Sequence, residues 1–353
     1  MLNELTQYRT PVKECLDRFL DERAGEMAAV NDWGPDVCER MKRFSSRGKM
    51  IRGCLVMLAN SLFSEDMDGN AAVTGAAMEL FQASFLIHDD IMDGDEMRRG
   101  EPTVYAQYAQ SGKERGVAES DRFGEAMGIC AGDMTFFFGF QILTELKCSD
   151  GLERKIVNRC FREIASTCVA QMEDVALGMG AEDPDEANIL KLYRHKTGRY
   201  TFSLPMILGA MLAEQPEEVL DTLENIGDQM GVIFQMKDDE LGLFGSEDMI
   251  GKPVGSDLRE NKQTLMRLLI EQSATPEQRE RLSRIFGNHQ LAKDDIDWVR
   301  QLAIDNGARK ELDKRARRLA DHVRERIETL PVIHPDKRRV MLELLDYNLN
   351  RSA

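Results

Sequence analysis

The sequence predicts an all-α protein, a helical bundle forming a single domain over residues 1–353. Three observations predict it. Met, Leu, Ala, Glu, Lys and Arg dominate, and these are strong helix formers. Strand-like alternation of β-branched residues is missing. Prolines 35, 102, 184, 216, 276, 331 and 335 fall where helical patterns begin or end. With 42% hydrophobic residues in 353, the chain can bury a sizeable core.

The elements follow from spacing. Apolar residues recur at helical intervals through 69–92, 122–146, 152–178 and 216–244, which predicts long central helices. Pro205 lies inside the apolar run "TFSLPMILGAML" and is expected to kink or interrupt that helix. Two loops are expected, a polar one at 111–121 and a glycine- and proline-bearing one at 245–260. A motif-bearing core spans about 44–265, and the more charged helices of 276–353 are expected to pack on it.

Charge narrows the function. The chain holds 62 acidic against 46 basic residues, a net charge of −16, which argues against nucleic acid or an anionic membrane as partner. No apolar run is read as long enough to span a membrane, and no signal-like segment opens the sequence. The seven cysteines contain no C-x-x-C pair, so free thiols in a reducing, cytoplasmic setting are expected.

Residues 89–100 read "DDIMDGDEMRRG" and combine both signs of charge. On a helix Asp89 and Asp93 share a face one turn apart. Like charges that close raise each other's pKa unless a cation neutralises them. Their hard oxygens suit magnesium, which keeps several waters and bridges to phosphates. Acidic clusters also cap helices: "KDDID" at 293–297 precedes a helical pattern and reads as such a cap. A second pair, in "FQMKDDELG" (234–242), sets the two clusters of the pattern apart from that cap. Antiparallel packing of the two helices would bring Asp238 toward Asp89 and Asp93, and such a magnesium cluster calls for an anion such as a diphosphate. An acidic protein must then supply local cations. "RGKMIRG" (47–53) offers Lys49 and Arg52, Arg98 and Arg99 follow the first motif, "HKTG" (195–198) gives Lys196 and Thr197, and "GKPVGSDLRENK" (251–262) adds Lys252 and Lys262.

In that order the motifs resemble the trans-isoprenyl diphosphate synthases of the polyprenyl synthetase family. The resemblance rests on Gly48-Lys49-x-x-Arg52, Asp89-Asp90-x-x-Asp93, Arg98-Arg99-Gly100, the "AGD" of 131–133, Lys196-Thr197, Phe234-Gln235 and Asp238-Asp239. It implies a helical isoprenoid synthase type I fold around a deep central cavity, usually as a homodimer. It implies condensation of an allylic diphosphate (dimethylallyl, geranyl or farnesyl) with isopentenyl diphosphate. By the same resemblance Asp89, Asp93 and Asp238 ligate two or three magnesium ions, with Asp90 and Asp239 behind them. Arg98, Lys196, Lys252 and Lys262 hold the allylic diphosphate. Gly48, Lys49, Arg52, Gln82 and Arg99 hold isopentenyl diphosphate. Thr197 and Gln235 direct dipoles at developing positive charge.

Two positions depart from the family pattern. Gly242 stands where the second motif commonly ends in Asp, and Tyr105 replaces a frequent His. A class I terpene cyclase shares the first motif but does not need Lys49, Arg52, Gln82 and Arg99. A silent partner subunit typically loses motif aspartates, which this chain keeps. Chain length is read from the residues preceding Asp89. Ser84, five before it, is small, Phe85 narrows the channel, and Phe81 closes it a turn deeper. That favours geranylgeranyl over farnesyl diphosphate as product.

Overall fold

In the computed structural model, residues 3–65, 69–181, 184–245 and 255–351 are described. Helix makes up 80% of the described residues. In order the helices are α1 Asn3–Thr6, α2 Arg9–Met27, α3 Trp33–Ser46, α4 Ile51–Phe63, α5 Gly69–Asp93, α6 Val104–Glu114, α7 Ser120–Leu143, α8 Asp150–Gly178 and α9 Glu186–Leu192. A π-helical stretch, Tyr193–Ser203, leads into α10 Leu204–Leu212 and then α11 Glu217–Phe244. Helices Ser256–Arg259, Leu265–Ser273, Pro276–Ile285, Lys293–Asp305, Ala308–Thr329 and Pro335–Asn350 complete the chain.

The four long apolar patterns therefore become α5, α7, α8 and α11. "KDDID" opens helix Lys293–Asp305 with Asp294 and Asp295 in its first turn, as a charge cap should. The loop expected over 111–121 is shorter, because α6 continues to Glu114. Its Tyr108, Ala109 and Gly112 are buried, which keeps the segment helical despite its polar composition.

One expectation is corrected. Helix α7 is 24 residues long and apolar enough to cross a membrane by length and composition alone. Asp121, Arg122, Glu125 and Asp133 interrupt the pattern at sequence level, which hid its apolar stretch. Gly124, Gly128, Gly132 and Gly139 of α7 contact Tyr105 and Ala109, Tyr105 and Ile91, His88, and Phe81 respectively. Those small residues let α5 and α6 approach its backbone.

The chain divides into two compact units. The first comprises 1–160, 205–220 and 332–337, and the second 161–204, 221–331 and 338–353. In the first, α5 packs on α7, α4 and α2, and α6 packs on α7. The backbones of α4 and α5 nearly touch: a Cβ on Gly53 would lie 3.0 Å from the Gly75 carbonyl oxygen. In the second, helix Ala308–Thr329 packs on Leu265–Ser273 and Lys293–Asp305, while α9 meets the π stretch and Leu265–Ser273.

The chain stays helical at Pro205, and the interruption expected there takes the form of a change of helix type. Proline cannot donate to the ladder. The turns before it widen into eleven π-helical residues, and α10 begins at Leu204. The π stretch is pinned to α11 by a glycine pair, since a Cβ on Gly231 would overlap Gly198 Cα. Gly231→Ala should therefore cost about 1–3 kcal/mol, the usual range for overpacking. Gly25, in α2, has nothing within 4 Å of its would-be Cβ. Gly25→Ala should raise stability by about 0.4–1 kcal/mol through the unfolded state. Urea unfolding of both variants checks the pair, and equal effects would refute the close-contact argument.

Candidate active site

The first acidic motif ends α5. Asp89 and Asp93 are both partly exposed one turn apart, while Asp90 between them is fully buried. The Arg98 guanidinium donates to Asp90 Oδ1 from Nε at 2.6 Å. Burial still pushes the Asp90 carboxyl up, to about 6, against the pull of Arg98. After the motif the chain turns back through a two-residue antiparallel ladder, β1 Met97–Arg98 with β2 Glu101–Pro102. Arg99 and Gly100 form the turn with φ of 52° and 76°, two left-handed residues as a tight hairpin requires. Glycine adopts that readily; arginine does so at a strain that fixes where its side chain leaves the turn.

Arg99 points to the Gly48 motif. A Cβ on Gly48 would lie 3.2 Å from Arg99 Nη1, so the glycine makes room for the guanidinium. Lys49 is exposed, Arg52 half-buried, and Met50 between them is left-handed at φ 51°. Beneath these cations lies Glu79, 7% exposed, whose Oε1 accepts the Gly53 backbone N–H at 2.8 Å. Burial raises its carboxyl despite the Gly53 N–H and the charges of Arg52 and Arg99. Gln82, one turn along α5, is half-buried. Sequence reasoning missed Glu79; its signal was an acid inside an otherwise apolar helical face.

In the second unit the second motif sits on α11. Asp238 is partly exposed and Asp239 is 2% exposed. The Tyr193 hydroxyl donates to Asp239 Oδ2 and accepts the Leu265 N–H at 2.7 Å. Burial drives the Asp239 carboxyl well up, outweighing Tyr193, with Asp257 and Asp238 adding to the rise. Arg351 pairs with Asp238, donates to the Phe234 carbonyl at 2.9 Å and stacks 3.8 Å from the Phe234 ring centroid. Nothing in the sequence pattern flagged Arg351.

Gly242 has a physical reason. A Cβ there would overlap Asp257 Oδ2. The Asp257 carboxylate fills the space that a longer residue at 242 would need.

The π stretch carries Lys196 and Thr197. Thr197 Oγ1 donates to Gln235 Oε1 at 3.1 Å. Lys196 Nζ donates to Asp174 Oδ2 at 2.6 Å, and Lys262 Nζ reaches the same oxygen at 3.2 Å. Arg199 grips Glu163 bidentately, both bonds at 2.7 Å, and also bonds Glu224 and Asp228. Lys252 lies outside the described residues.

The residues before Asp89 face α7. Phe81 is fully buried, 4.7 Å from the Phe140 ring, and Phe85 meets Phe136 edge-on at 5.1 Å. Ser84 does more than leave room: its hydroxyl donates to the Gly132 carbonyl of α7 at 2.7 Å. Phe136 and Phe140, in "TFFFGF", were missed because aromatic runs on a buried helix read as core. His88 Nε2 lies 3.3 Å from Asp133, and Tyr105 is packed against Gly124 and Gly128, so both act in packing.

Magnesium fits these residues. The donors are hard carboxylate oxygens, and Asp90 Oδ2 and Asp239 Oδ1 are buried without a hydrogen-bond partner. Within either unit, no three His, Cys, Asp or Glu side chains of the described residues form a ready-made cation cage.

Comparison with known proteins gives these motifs a context. Residues 37–303 match the Polyprenyl synthetase family. The chain is 33% identical over 94% of its length to a short chain isoprenyl diphosphate synthase of Methanothermobacter thermautotrophicus, covering 95% of that protein. It is 27% identical to a geranylgeranyl diphosphate synthase of Saccharolobus solfataricus, with 87% and 88% of the two chains covered. Its structure superposes with a TM-score of 0.92 and 25% identity on a geranylgeranyl pyrophosphate synthase of Corynebacterium glutamicum, complexed with isoprenyl diphosphate and magnesium, covering 98% and 99% of the two chains. The chain belongs to the polyprenyl synthetase family, with the helical type I isoprenoid synthase fold, and is a trans-prenyl diphosphate synthase of the short-chain type.

Proposed function

We propose that the protein condenses isopentenyl diphosphate with allylic diphosphates to geranylgeranyl diphosphate, working in the cytoplasm as one synthase domain over 1–353 and as a homodimer. The observation that carries the substrate assignment is the pair of cation groups, each built around a buried carboxylate. Arg52 and Arg99, with Lys49 and Gln82, bind isopentenyl diphosphate over Glu79. Lys196, Lys252 and Lys262, with Arg98, bind the allylic diphosphate. Asp89, Asp93 and Asp238 hold magnesium, with Asp90 and Asp239 behind them. When bound, magnesium supplies the positive charge that lets the allylic diphosphate leave. Thr197 Oγ1 and Gln235 Oε1 orient their dipoles toward the allylic carbon as it becomes cationic. The isopentenyl double bond, fixed by the arginines, then attacks that carbon, and the departed diphosphate takes the proton lost in forming the new double bond. The half-buried aromatics Phe85 and Phe136 keep water from the cation.

The family match and the motif order support this reading, but relatives named farnesyl and geranylfarnesyl synthases show that the family's products vary. The twenty-carbon product is supported by small Ser84 and by Phe81 backed by Phe140. Apolar residues left uncovered support the homodimer: Ile129 and Phe137 on α7 and, separately, Val169 and Met172 on α8 with Met179 just past its end.

Three outcomes test it. Activity should vanish in excess chelator, and Asp89→Ala or Asp238→Ala should abolish turnover while leaving far-UV circular dichroism intact. Full turnover with chelator would sink the magnesium assignment. Lys49→Ala and Arg52→Ala should raise KM for isopentenyl diphosphate about tenfold, as loss of a contact of roughly 1.5–3 kcal/mol requires. Lys196→Ala should act on the allylic KM instead, and equal effects on both substrates would refute the division. Mass analysis of products should show C20, a longer product for Phe81→Ala and a shorter one for Ser84→Phe. A wild-type product of C15 that only Phe85→Ala extends would move the floor to Phe85.

A further inference from the structure

No motif contains Asp174, yet it is the meeting point of two motif lysines. Its side chain is 12% exposed on α8. Lys196 Nζ and Lys262 Nζ, from segments far apart in sequence, both donate to the single oxygen Oδ2 at 2.6 Å and 3.2 Å. The lysines are themselves largely covered, 26% and 19% exposed.

Coulomb's law alone would not put a carboxylate there. A site for a diphosphate gains from positive charge, and Asp174 cancels some of it. Geometry gives it a use. A lysine ends in a flexible four-carbon stem, and two ammonium groups brought together repel. One carboxylate oxygen between them fixes both stems and removes that repulsion. Burial alone would raise the Asp174 carboxyl, and the two ammonium charges outweigh it, leaving it below its ordinary value.

The surroundings are built for the same end. Two carboxylates on one face of α8 hold the π stretch. Glu163 grips Arg199 and Asp174 takes Lys196, while the Thr167 hydroxyl between them donates within α8 to the Glu163 carbonyl at 3.0 Å and lies 3.4 Å from the His195 carbonyl. Lys262 is delivered separately. Asn261 before it is left-handed at φ 56° and donates to the Gly178 carbonyl at the end of α8, at 3.1 Å. A surface ion pair formed by chance would not be fed by a left-handed turn on one side and a second carboxylate grip, Glu163 on Arg199, on the other.

We infer that Asp174 is a positioning residue that presents Lys196 and Lys262 together to the allylic diphosphate. It does not touch the reacting atoms. This rests on the reading of the two lysines as the allylic diphosphate's partners.

The test is a set of steady-state measurements with dimethylallyl and isopentenyl diphosphates. Asp174→Asn keeps the size and removes the charge. It should raise the allylic KM about tenfold and leave the isopentenyl KM within about twofold. Asp174→Glu, with the charge displaced by one methylene, should recover part of the loss. In a Lys196→Ala, Lys262→Ala background, Asp174→Asn should add nothing, because its effect passes through those lysines. A lower allylic KM in Asp174→Asn would mean that net charge alone matters and would overturn the inference. So would an unchanged KM, or an equal rise for both substrates. Lys196→Ala, run alongside, separates the two levels. If it leaves the allylic KM alone, the reading of the lysines fails. If it raises that KM while Asp174→Asn does not, only the positioning role fails. Should Asp174→Asn not fold, Asp174→Glu decides: a selective rise in allylic KM supports the role, and any other result overturns it.

Discussion

Charge compensation is the constraint on which the site depends. A chain of net charge −16 must gather cations where diphosphates bind, and cations gathered without partners repel one another and resist burial. Motif cations lean on carboxylates of their own unit. Arg98 rests on Asp90, Lys196 and Lys262 share Asp174, and Arg52 and Arg99 lie over Glu79. Arg351 rests on Asp238 in the same manner. These carboxylates are mostly buried, so the pairs are weakly screened and their geometry is held. In the proposed roles, an incoming diphosphate would then meet cations whose positions are already fixed, and less ordering would remain to be done on binding.

Fixed positions also need close backbones. The π stretch passes α11 at Gly198 and Gly231, and α4 passes α5 at Gly53 and Gly75. In each case a motif residue is one or two positions away: Thr197 beside Gly198, Arg52 beside Gly53. A side chain at either crossing would move the functional group by about the width of a methyl group, enough to matter when reacting atoms must align. Strain marks the same places. Of the four non-glycine residues with positive φ among those described, Met50, Arg99 and Asn261 lie within motifs or beside one. Such conformations persist only where the surroundings hold them, as the end of α8 does beside Asn261.

Much of this was legible in the sequence, for identifiable reasons. The long helices were readable because apolar residues recur every three to four positions, and the observed bounds of α5 and α11 differ from the pattern by a residue or two. The motif residues were readable because charge density in short stretches is unusual on an otherwise helical background. What escaped was held by long-range contact. Glu79, Asp174 and Arg351 meet their partners across 26, 22 and 113 positions, and no local pattern records that. The helix of α7 was read from its apolar periodicity, but that it is apolar enough to match membrane-spanning length was not, because scattered acids interrupt the run. The π stretch escaped because Pro205 announces an interruption without saying which form it takes.

The choice of cation follows from the partner it must hold. In the proposed roles, isopentenyl diphosphate keeps its diphosphate throughout the reaction, whereas the allylic substrate releases it. A group that stays bound is best held by guanidinium forks, which match phosphate oxygens two at a time and cannot lose their proton. Arg52 and Arg99 supply these, and Arg99 is locked by its left-handed turn. A group that departs changes its shape and charge distribution. Ammonium groups act as point charges and tolerate that change, since they impose no planar geometry. Their weakness is mobility, and a shared carboxylate corrects it without imposing a direction on the diphosphate. In the proposed roles the two sides thus differ in emphasis: Arg52 and Arg99 join Lys49 near a buried glutamate where the ligand is constant, while Lys196 and Lys262, alongside Arg98, share one oxygen atom of Asp174 where it is not.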